Sequence, residues 1–557
     1  MANSFAYVVL FGWPLVVFLL FRLLPRPEAI AWSIIGGYLA LPFGVGIDPP
    51  VLPTFDKTLI PALSAAVMCL MGVAPTVLSL CRSDPVRKAP SSGVRPQAAE
   101  QSVFTRQKTR RPVRSSARPT PAKSGMQRSP LIITLLLALL FLTPVLTVLQ
   151  NTDPYHIGVL TLPGLRLYDV FSMILSTMVM LLPFLLGQSY LGEPEAQVSL
   201  LRVLCLSALI YSLPTLFEIR MSPQLARWIY GFLAQSFAQA MRDGGFRPVV
   251  FLQHGLWLAV FLAMAALSAF ALWRHDRAEG RQSLMWFAGL WLAGVLFLSH
   301  SFGALILLLG LFPFLLLFSI RGQLLAAAAL AAIVLTYPML RGAGFIPVDT
   351  ISSLAASVSQ ERAGSLKFRL DNEDILLAHA NEKPLAGWGG FARSRVFDPE
   401  TGADISVTDG MWIIVMGVSG WLGYVGTFGL LAGPVILLFF RSKPLGITRA
   451  TAGLCMILVA NMIDMVANAT LTPVTWLIAG ALAGRCRFKL LKPFAEADSN
   501  QVLASKSALK RGGLYGLRQL VVVSSVVLMM PFLGASASAG TGVTDPGLAF
   551  GLTGVSD

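Results

Sequence analysis

Two stretches of this 557-residue chain gather arginine, acid, glycine and aromatic residues in spacings that suit anion and sugar chemistry. The first opens on Phe217-Glu218-Ile219-Arg220, passes through Arg227-Trp228-Ile229-Tyr230-Gly231 and closes on Arg242-Asp243-Gly244-Gly245-Phe246-Arg247-Pro248. It sets four arginines against two acids. Arg220 and Arg247 each border an apolar run in a sharply shaped segment, where a guanidinium fork could hold a phosphate bidentately. Arg227 and Arg242 read instead as side chains snorkelling to lipid headgroups. His254, in the next apolar run, reads as a helix-packing hydrogen-bonder.

The second stretch carries Arg362, Arg369, an amphipathic segment Asp374 to Ala380 that includes His379, and then Lys383-Pro384-Leu385-Ala386-Gly387-Trp388-Gly389-Gly390-Phe391-Ala392-Arg393-Ser394-Arg395. Gly387, Gly389 and Gly390 allow close backbone approach to a ligand, and Trp388 and Phe391 offer faces on which a sugar could stack. Arg393 and Arg395 add cations beside them. Asp409 lies between Thr408 and Gly410, where the loop re-enters an apolar run. At such a boundary a carboxylate can act as a general base, or it can cap a helix N-terminus; the two are compatible. Asp464, inside a later apolar run, is an intramembrane acid and so a functional candidate, although Asn461 and Asn468 at helical spacing could satisfy it.

The elements that must position these residues are membrane helices. The chain is 55% hydrophobic and only 13% charged, against roughly 25% charged in soluble domains. Apolar segments fall at about 5–24, 28–46, 57–80, 130–149, 168–187, 198–217, 249–273, 283–299, 303–319, 323–340, 411–438, 450–467, 471–484 and 517–533, mostly near the length that crosses a hydrocarbon core. The expectation is an all-α polytopic membrane protein of about 13–14 transmembrane helices, with two long periplasmic loops, 218–248 and 341–410, containing short helices.

The net charge of +15 is an orientation signal. Residues 81–130 hold twelve Lys/Arg against Asp84 and Glu100. Rich in Pro, Ser and Gln, they read as a disordered cytoplasmic loop that touches anionic lipid, not as a nucleic-acid binder. With that loop inside and the chain alternating, Arg22/Arg26, Arg202, Arg274/Arg277/Arg281, Arg321, Arg441/Lys443 and Arg485/Arg487 also fall inside, as the positive-inside bias requires. The chain divides into a three-helix segment (1–80), the basic loop (81–130), a membrane domain (131–490), and a linker, last hydrophobic span and Gly-rich tail (491–557). Lys510-Arg511, the apolar run and Ala535-Ser536-Ala537-Ser538-Ala539 are laid out like a signal peptide, but here read as a last span; a fused extra segment is the alternative. The five cysteines show no CxxC or other metal spacing.

Arg369-Leu370 through Lys383-Pro384-Leu385-Ala386-Gly387-Trp388-Gly389-Gly390-Phe391 resembles the Arg-initiated helix and Pro-Leu-x-Gly-x-Gly-x-Phe pattern of the O-antigen ligase/polymerase superfamily of bacterial envelope glycan enzymes. Ser299-His300-Ser301-Phe302-Gly303-Ala304 resembles its Ser-x-Ser-x-Gly-Ala turn, and Gly417 to Gly426 its glycine-containing span. The resemblance covers some three-fifths of the chain. It implies an inner-membrane enzyme that transfers a glycan from undecaprenyl diphosphate to an acceptor sugar hydroxyl in the periplasm, with no metal or other cofactor. Arg220, Arg247 and Arg369 would bind diphosphate, Arg362 or Arg393 would assist, and Asp409 or His379 would be the base. A chain-length regulator or export machinery would be a further partner. Where many ligases carry His-x-x-Asn, this chain reads Val407-Thr408-Asp409-Gly410. That Asp resembles the loop carboxylate of the shape, elongation and division glycosyltransferases and favours a polymerase over a ligase onto lipid A or protein. A lipid-linked oligosaccharide flippase is the alternative of another class; it would need charged spans and two pseudo-symmetric halves, which the sequence does not display.

Overall fold

The computed structural model describes residues 2–49, 52–73, 75 and 129–487, apart from 234, 236, 243, 244, 346, 348, 349, 351, 352, 354–356, 358, 359 and 391, and without the side chains of 238, 242, 361–363, 365 and 366. The basic 81–130 segment, but for its last two residues, and the 517–533 segment lie outside the described residues. The helices among the described residues include α1 (Ser4–Leu23), α2 (Arg26–Ala40), α3 (Leu59–Leu70), α4 (Leu131–Leu149), α5 (Leu167–Tyr190), α6 (Pro194–Met221), α7 (Leu225–Tyr230), α8 (Phe237–Ala240), α9 (Gly255–Ala278), α10 (Met285–Leu298), α11 (Phe302–Leu317), α12 (Ile320–Gly342), α13 (Gln360–Glu382), α14 (Met411–Phe440), α15 (Ser442–Leu445), α16 (Arg449–Ala467) and α17 (Pro473–Arg485). Each of the thirteen expected apolar segments before residue 487 carries a helix. Eight of these helices are long and apolar enough to cross a membrane, which makes the chain an all-α, multi-pass membrane protein.

Start signals in the sequence account for many helix boundaries. Asn3, Ser319, Thr448 and Thr472 accept backbone N–H bonds at the starts of α1, α12, α16 and α17, and prolines stand in the first turn of α2, α6 and α17. His254 caps α9 by accepting from the Leu256 N–H at 3.1 Å, so it lies at the mouth of the span and not inside it. Helix α9 starts at residue 255 because 249–254 is non-helical.

α9 and α16 are buried on nearly every side along most of their length and form the centre of the bundle. The α5–α17 contact is made by small residues. A β-carbon on Gly480 would lie 2.1 Å from the Phe184 carbonyl oxygen, and one on Gly484 2.6 Å from that of Gln188. Gly480 and Gly484 are spaced as in the close-packing motif of membrane helices.

Hydrogen bonds between distant segments sort the chain ends onto two faces. On one, Asn3 N donates to Tyr230 O, the Tyr230 hydroxyl to Ala40 O, Lys57 Nζ to Phe251 O and Met411 N to Asn468 O. On the other, Arg26 Nη2 donates to Gly72 O, Arg274 Nη2 to Phe318 O and Arg485 Nη2 to Leu445 O. This is the partition that strict alternation gives. The face opposite these arginines carries both long loops and is called the loop face below.

The loops hold more than short helices. Three two-stranded antiparallel hairpins appear: β1 (Gly46–Ile47) with β2 (Phe55–Asp56), β3 (Tyr155–Ile157) with β4 (Leu160–Leu162), and β5 (Met241–Arg242) with β6 (Gly245–Phe246). The amphipathic stretch at 374–380 proves to be the second half of the 23-residue α13.

Gly480→Ala should force α5 and α17 apart and cost about 1–3 kcal/mol, the usual range for overpacking. It should lower the melting temperature of the purified protein by several degrees. Gly303→Ala, whose β-carbon would meet nothing within 4 Å, should leave it unchanged in the same fluorescence-monitored melt.

Candidate active site

The first long loop is organised by a carboxylate. Glu218, buried near the end of α6, accepts from the backbone N–H groups of Leu225 (3.0 Å), Val249 (2.8 Å) and Val250 (2.7 Å). It thereby closes the loop on itself and holds Val250 at φ 55°, a conformation a β-branched residue adopts only under constraint. Arg247 follows the β5–β6 hairpin, is buried to 7% exposure, and donates from Nε to Ser301 Oγ at 3.1 Å. Ser301 belongs to the turn between α10 and α11, where His300 has φ 54° and lays its ring against Gly245. Among the described residues, the non-glycine residues with positive φ are Ser222, Val250, His300 and Ala392. All four lie on the loop face; strained backbone of this kind gathers where a structure over-determines it.

The second loop delivers Arg369 on α13 to the head of α14. Arg369 Nε lies 3.2 Å from Asp409 Oδ2, with each side chain about one-third exposed (36% and 32%). The cap position of α14 is Gly410, so Asp409 does not cap the helix; it pairs with Arg369. Gly410 abuts the Val466 carbonyl, and this brings Asp409 beside the end of α16. There Asp464 accepts from Asn468 Nδ2 (2.9 Å) and Thr470 Oγ1 (2.6 Å). Arg369 and Arg247 are both close enough to act electrostatically on the Asp464 carboxylate. The loop face therefore sets Arg369 against Asp409 in the second loop, with Asp464 at the nearby end of α16, and carries Arg247 in the first loop on the same side of the protein. The Arg369 fork, able to grip an oxyanion, stands next to a solvent-accessible carboxylate able to take a proton.

The other expected site residues are placed elsewhere. Arg220 is exposed, about 200° around α6 from Glu218 by helical geometry. The Arg362 side chain and Phe391 lie outside the described residues. His379 is ten residues beyond Arg369 on the same helix, about 15 Å along its axis. Its Nε2 lies 3.1 Å from the Arg393 carbonyl, its Nδ1 lies 3.5 Å from Glu382, and its ring stacks on Trp388 at 4.4 Å. The structure thus places it in the packing against Trp388, away from Asp409. Arg393 lies apart as well: at 2% exposure it donates to Pro163 O, Asn151 Oδ1 and Asp153 O.

The glycine and tryptophan motif also has a different task from the sugar platform expected of it. α14 is broken at Gly420 (φ 60°, ψ −162°). At the break Trp388 N donates to Gly417 O, Gly389 N to Val418 O, Trp421 N to Pro384 O and Leu422 N to Leu385 O. The segment 384–389 thus supplies the hydrogen bonds that the interrupted helix lacks. Gly387 and Gly389, both at positive φ, allow this approach; a β-carbon on Gly387 would lie 2.6 Å from the Ser419 and Gly420 nitrogens. Trp388 is buried between His379, Tyr155 at 4.6 Å and Lys383 Nζ at 4.4 Å. Thr147 Oγ1 and Asn151 Nδ2 bolt the motif to the end of α4 through the carbonyls of Ala386 and Gly387.

Sequence reasoning missed Glu218 as the organiser of the first loop, and Glu373 altogether. Glu373 is one turn beyond Arg369 on α13; its carboxylate accepts from Trp412 Nε1 at 3.3 Å. Only the i, i+4 spacing from Arg369 hinted that the two share a face. No family model matches the chain, and no curated protein does so either.

Gly387→Ala should cost more than about 2 kcal/mol, because it combines backbone collision with a strained φ. Gly390→Ala, whose β-carbon would meet nothing within 4 Å, should be tolerated. Limited proteolysis between residues 383 and 395 in membranes checks this: cleavage should accelerate for the first variant alone.

Proposed function

We propose that this protein is a metal-independent glycosyltransferase of the bacterial inner membrane that polymerises undecaprenyl-diphosphate-linked oligosaccharide repeat units at the periplasmic face. The observation that carries the reading is the Arg369–Asp409 pair at the head of α14, near Asp464 and on the same face as the buried Arg247. The shorter apolar helices α3, α10 and α11, with α2 and α17, bring the set of spans to thirteen, and the arginine-rich face is cytoplasmic by the positive-inside bias.

In this reading the donor diphosphate lies across Arg247 and Arg369. Taking up Arg369 loosens its pair with Asp409, and the freed carboxylate accepts the proton of the acceptor hydroxyl. The acceptor oxygen bonds to the anomeric carbon as the bond from that carbon to the diphosphate oxygen breaks. The negative charge that accumulates on the departing diphosphate is met by the two guanidinium groups, an electrostatic contribution that mutagenesis of comparable donors values at about 10²–10³ in rate. The absence of the ligase His-x-x-Asn pattern before α14 favours polymerisation.

Asp409→Asn should lower polymer formation by about 10²–10⁴-fold, the usual weight of a general base. Arg247→Ala should lower it by about 10²–10³-fold. Arg220→Ala should leave it near wild type. Mass analysis of lipid-linked glycans in a deletion strain separates the alternatives. A polymerase leaves single repeat units on undecaprenyl diphosphate, whereas a ligase leaves long chains there. Unchanged polymer amount and length in the Asp409 and Arg247 variants would refute the reading.

A further inference from the structure

Glu373 is a buried acid beside the candidate site that the reaction as written does not use. Its Oε1 accepts from Trp412 Nε1 at 3.3 Å and its Oε2 from the Tyr337 hydroxyl at 3.5 Å; Arg341 Nε lies 3.8 Å from Oε2. Arg341, itself buried in the last turn of α12, pairs with Asp374 Oδ1 at 2.7 Å and donates to Leu370 O at 3.3 Å. Arg369, one turn earlier on α13, pairs with Asp409, and Asp409 precedes Trp412 by three residues. Consecutive turns of α13 therefore grip the head of α14 twice, Arg369 on Asp409 and Glu373 on Trp412. Arg341 ties the same turns to α12.

The groups facing the carboxylate come from three elements. α12 presents Tyr337 and Arg341, α13 presents Asp374 and, a turn away, Arg369, and α14 presents Trp412 with Asp409 just ahead of it. Trp412, Tyr337 and Arg341 are all donors. An ionised carboxylate satisfies them, whereas a protonated one loses its attraction for Arg341. Burial raises the pKa of the Glu373 carboxyl to about 7; the Trp412 bond and Arg341 oppose the rise and Asp374 adds to it.

We propose that Glu373 is a positioning residue: its negative charge fastens α13 to Trp412 and Arg341 and so sets Arg369 against Asp409, and loss of that charge releases the setting. The consequence for turnover rests on the glycosyl-transfer reading; the geometric consequence does not. Because the group's ordinary value is exceeded, the charge is present above about pH 7 and is lost as pH falls through it.

The test uses the full-length protein in lipid nanodiscs, treated with phenylglyoxal at pH values on both sides of 7, with peptide mass spectrometry reporting modification of Arg369 relative to exposed Arg220. In the wild type this ratio should fall about threefold as pH rises through 7, the weight of one partly exposed ion pair. In Glu373→Gln it should stay high and flat. Trp412→Phe removes a donor but keeps the charge, so it should move the midpoint upward; this variant carries the test if Glu373→Gln does not fold. A ratio that follows the wild-type curve in Glu373→Gln, or a midpoint unmoved in Trp412→Phe, would overturn the proposal. Polymer formation by the same preparations separates the two ideas. If the ratio shifts as expected while polymer formation is indifferent to pH, the positioning role stands and the catalytic assignment of Arg369 falls.

Discussion

Backbone in an apolar surrounding must find its hydrogen bonds within the protein, and the interruption of α14 at Gly420 makes that requirement acute. Each unmet group in a membrane interior costs several kcal/mol. The segment 384–389 meets the requirement by lending two N–H groups to Gly417 and Val418 and two carbonyls to Trp421 and Leu422. Once this seam forms, the end of α13 is fixed relative to α14, and the remainder of that rigid helix carries Arg369 to the head of α14. The candidate site therefore inherits its geometry from a backbone repair made some distance away. Close packing at Gly387 and Gly420 is the condition for it.

Arg393, Arg485, Arg369 and Arg247 divide into two kinds by what they face. Arg393 and Arg485 spend their donors on carbonyl oxygens, at Pro163 and Asp153 in one case and at Leu445 and Gly446 in the other. These are chain-end clamps, and an anion offered to them would have to displace backbone. Arg369 faces the Asp409 carboxylate, and Arg247 acts on Asp464 while holding Ser301. Exchanging one partner carboxylate for a diphosphate preserves charge balance at such a position. Arg341 also faces carboxylates, those of Asp374 and Glu373, but it is buried, whereas Arg369 and Asp409 are each about one-third exposed and so open to a ligand.

The helices were legible because an apolar run near the thickness of a bilayer has few other uses, and the long loops because arginine and glycine interrupt those runs. Arg247 and Asp409 stood out as charged residues at apolar boundaries and Arg369 through the family resemblance; the structure pairs Arg369 with Asp409. Gly387, Trp388 and Gly389 were misread for a physical reason. Glycine beside an aromatic ring suits close approach of any partner, and composition does not say whether that partner is a sugar or the chain's own broken helix. His379 and Arg393 were drawn into the site by nearness in sequence, although helical rise places His379 well away from Arg369. Glu218 and Glu373 were not singled out because their partners, Val249 and Val250 for one and Trp412 for the other, are distant in sequence.

The central claim is that Arg247 and Arg369 together form a diphosphate site on the loop face. Isothermal titration of the purified full-length protein with a short-chain polyprenyl diphosphate tests it most directly. Arg247→Ala and Arg369→Ala should each weaken binding by about tenfold or more, since a charge-assisted hydrogen bond contributes about 1.5–3 kcal/mol; Arg220→Ala should bind as the wild type does. Undiminished affinity in both of the first two variants would contradict the claim.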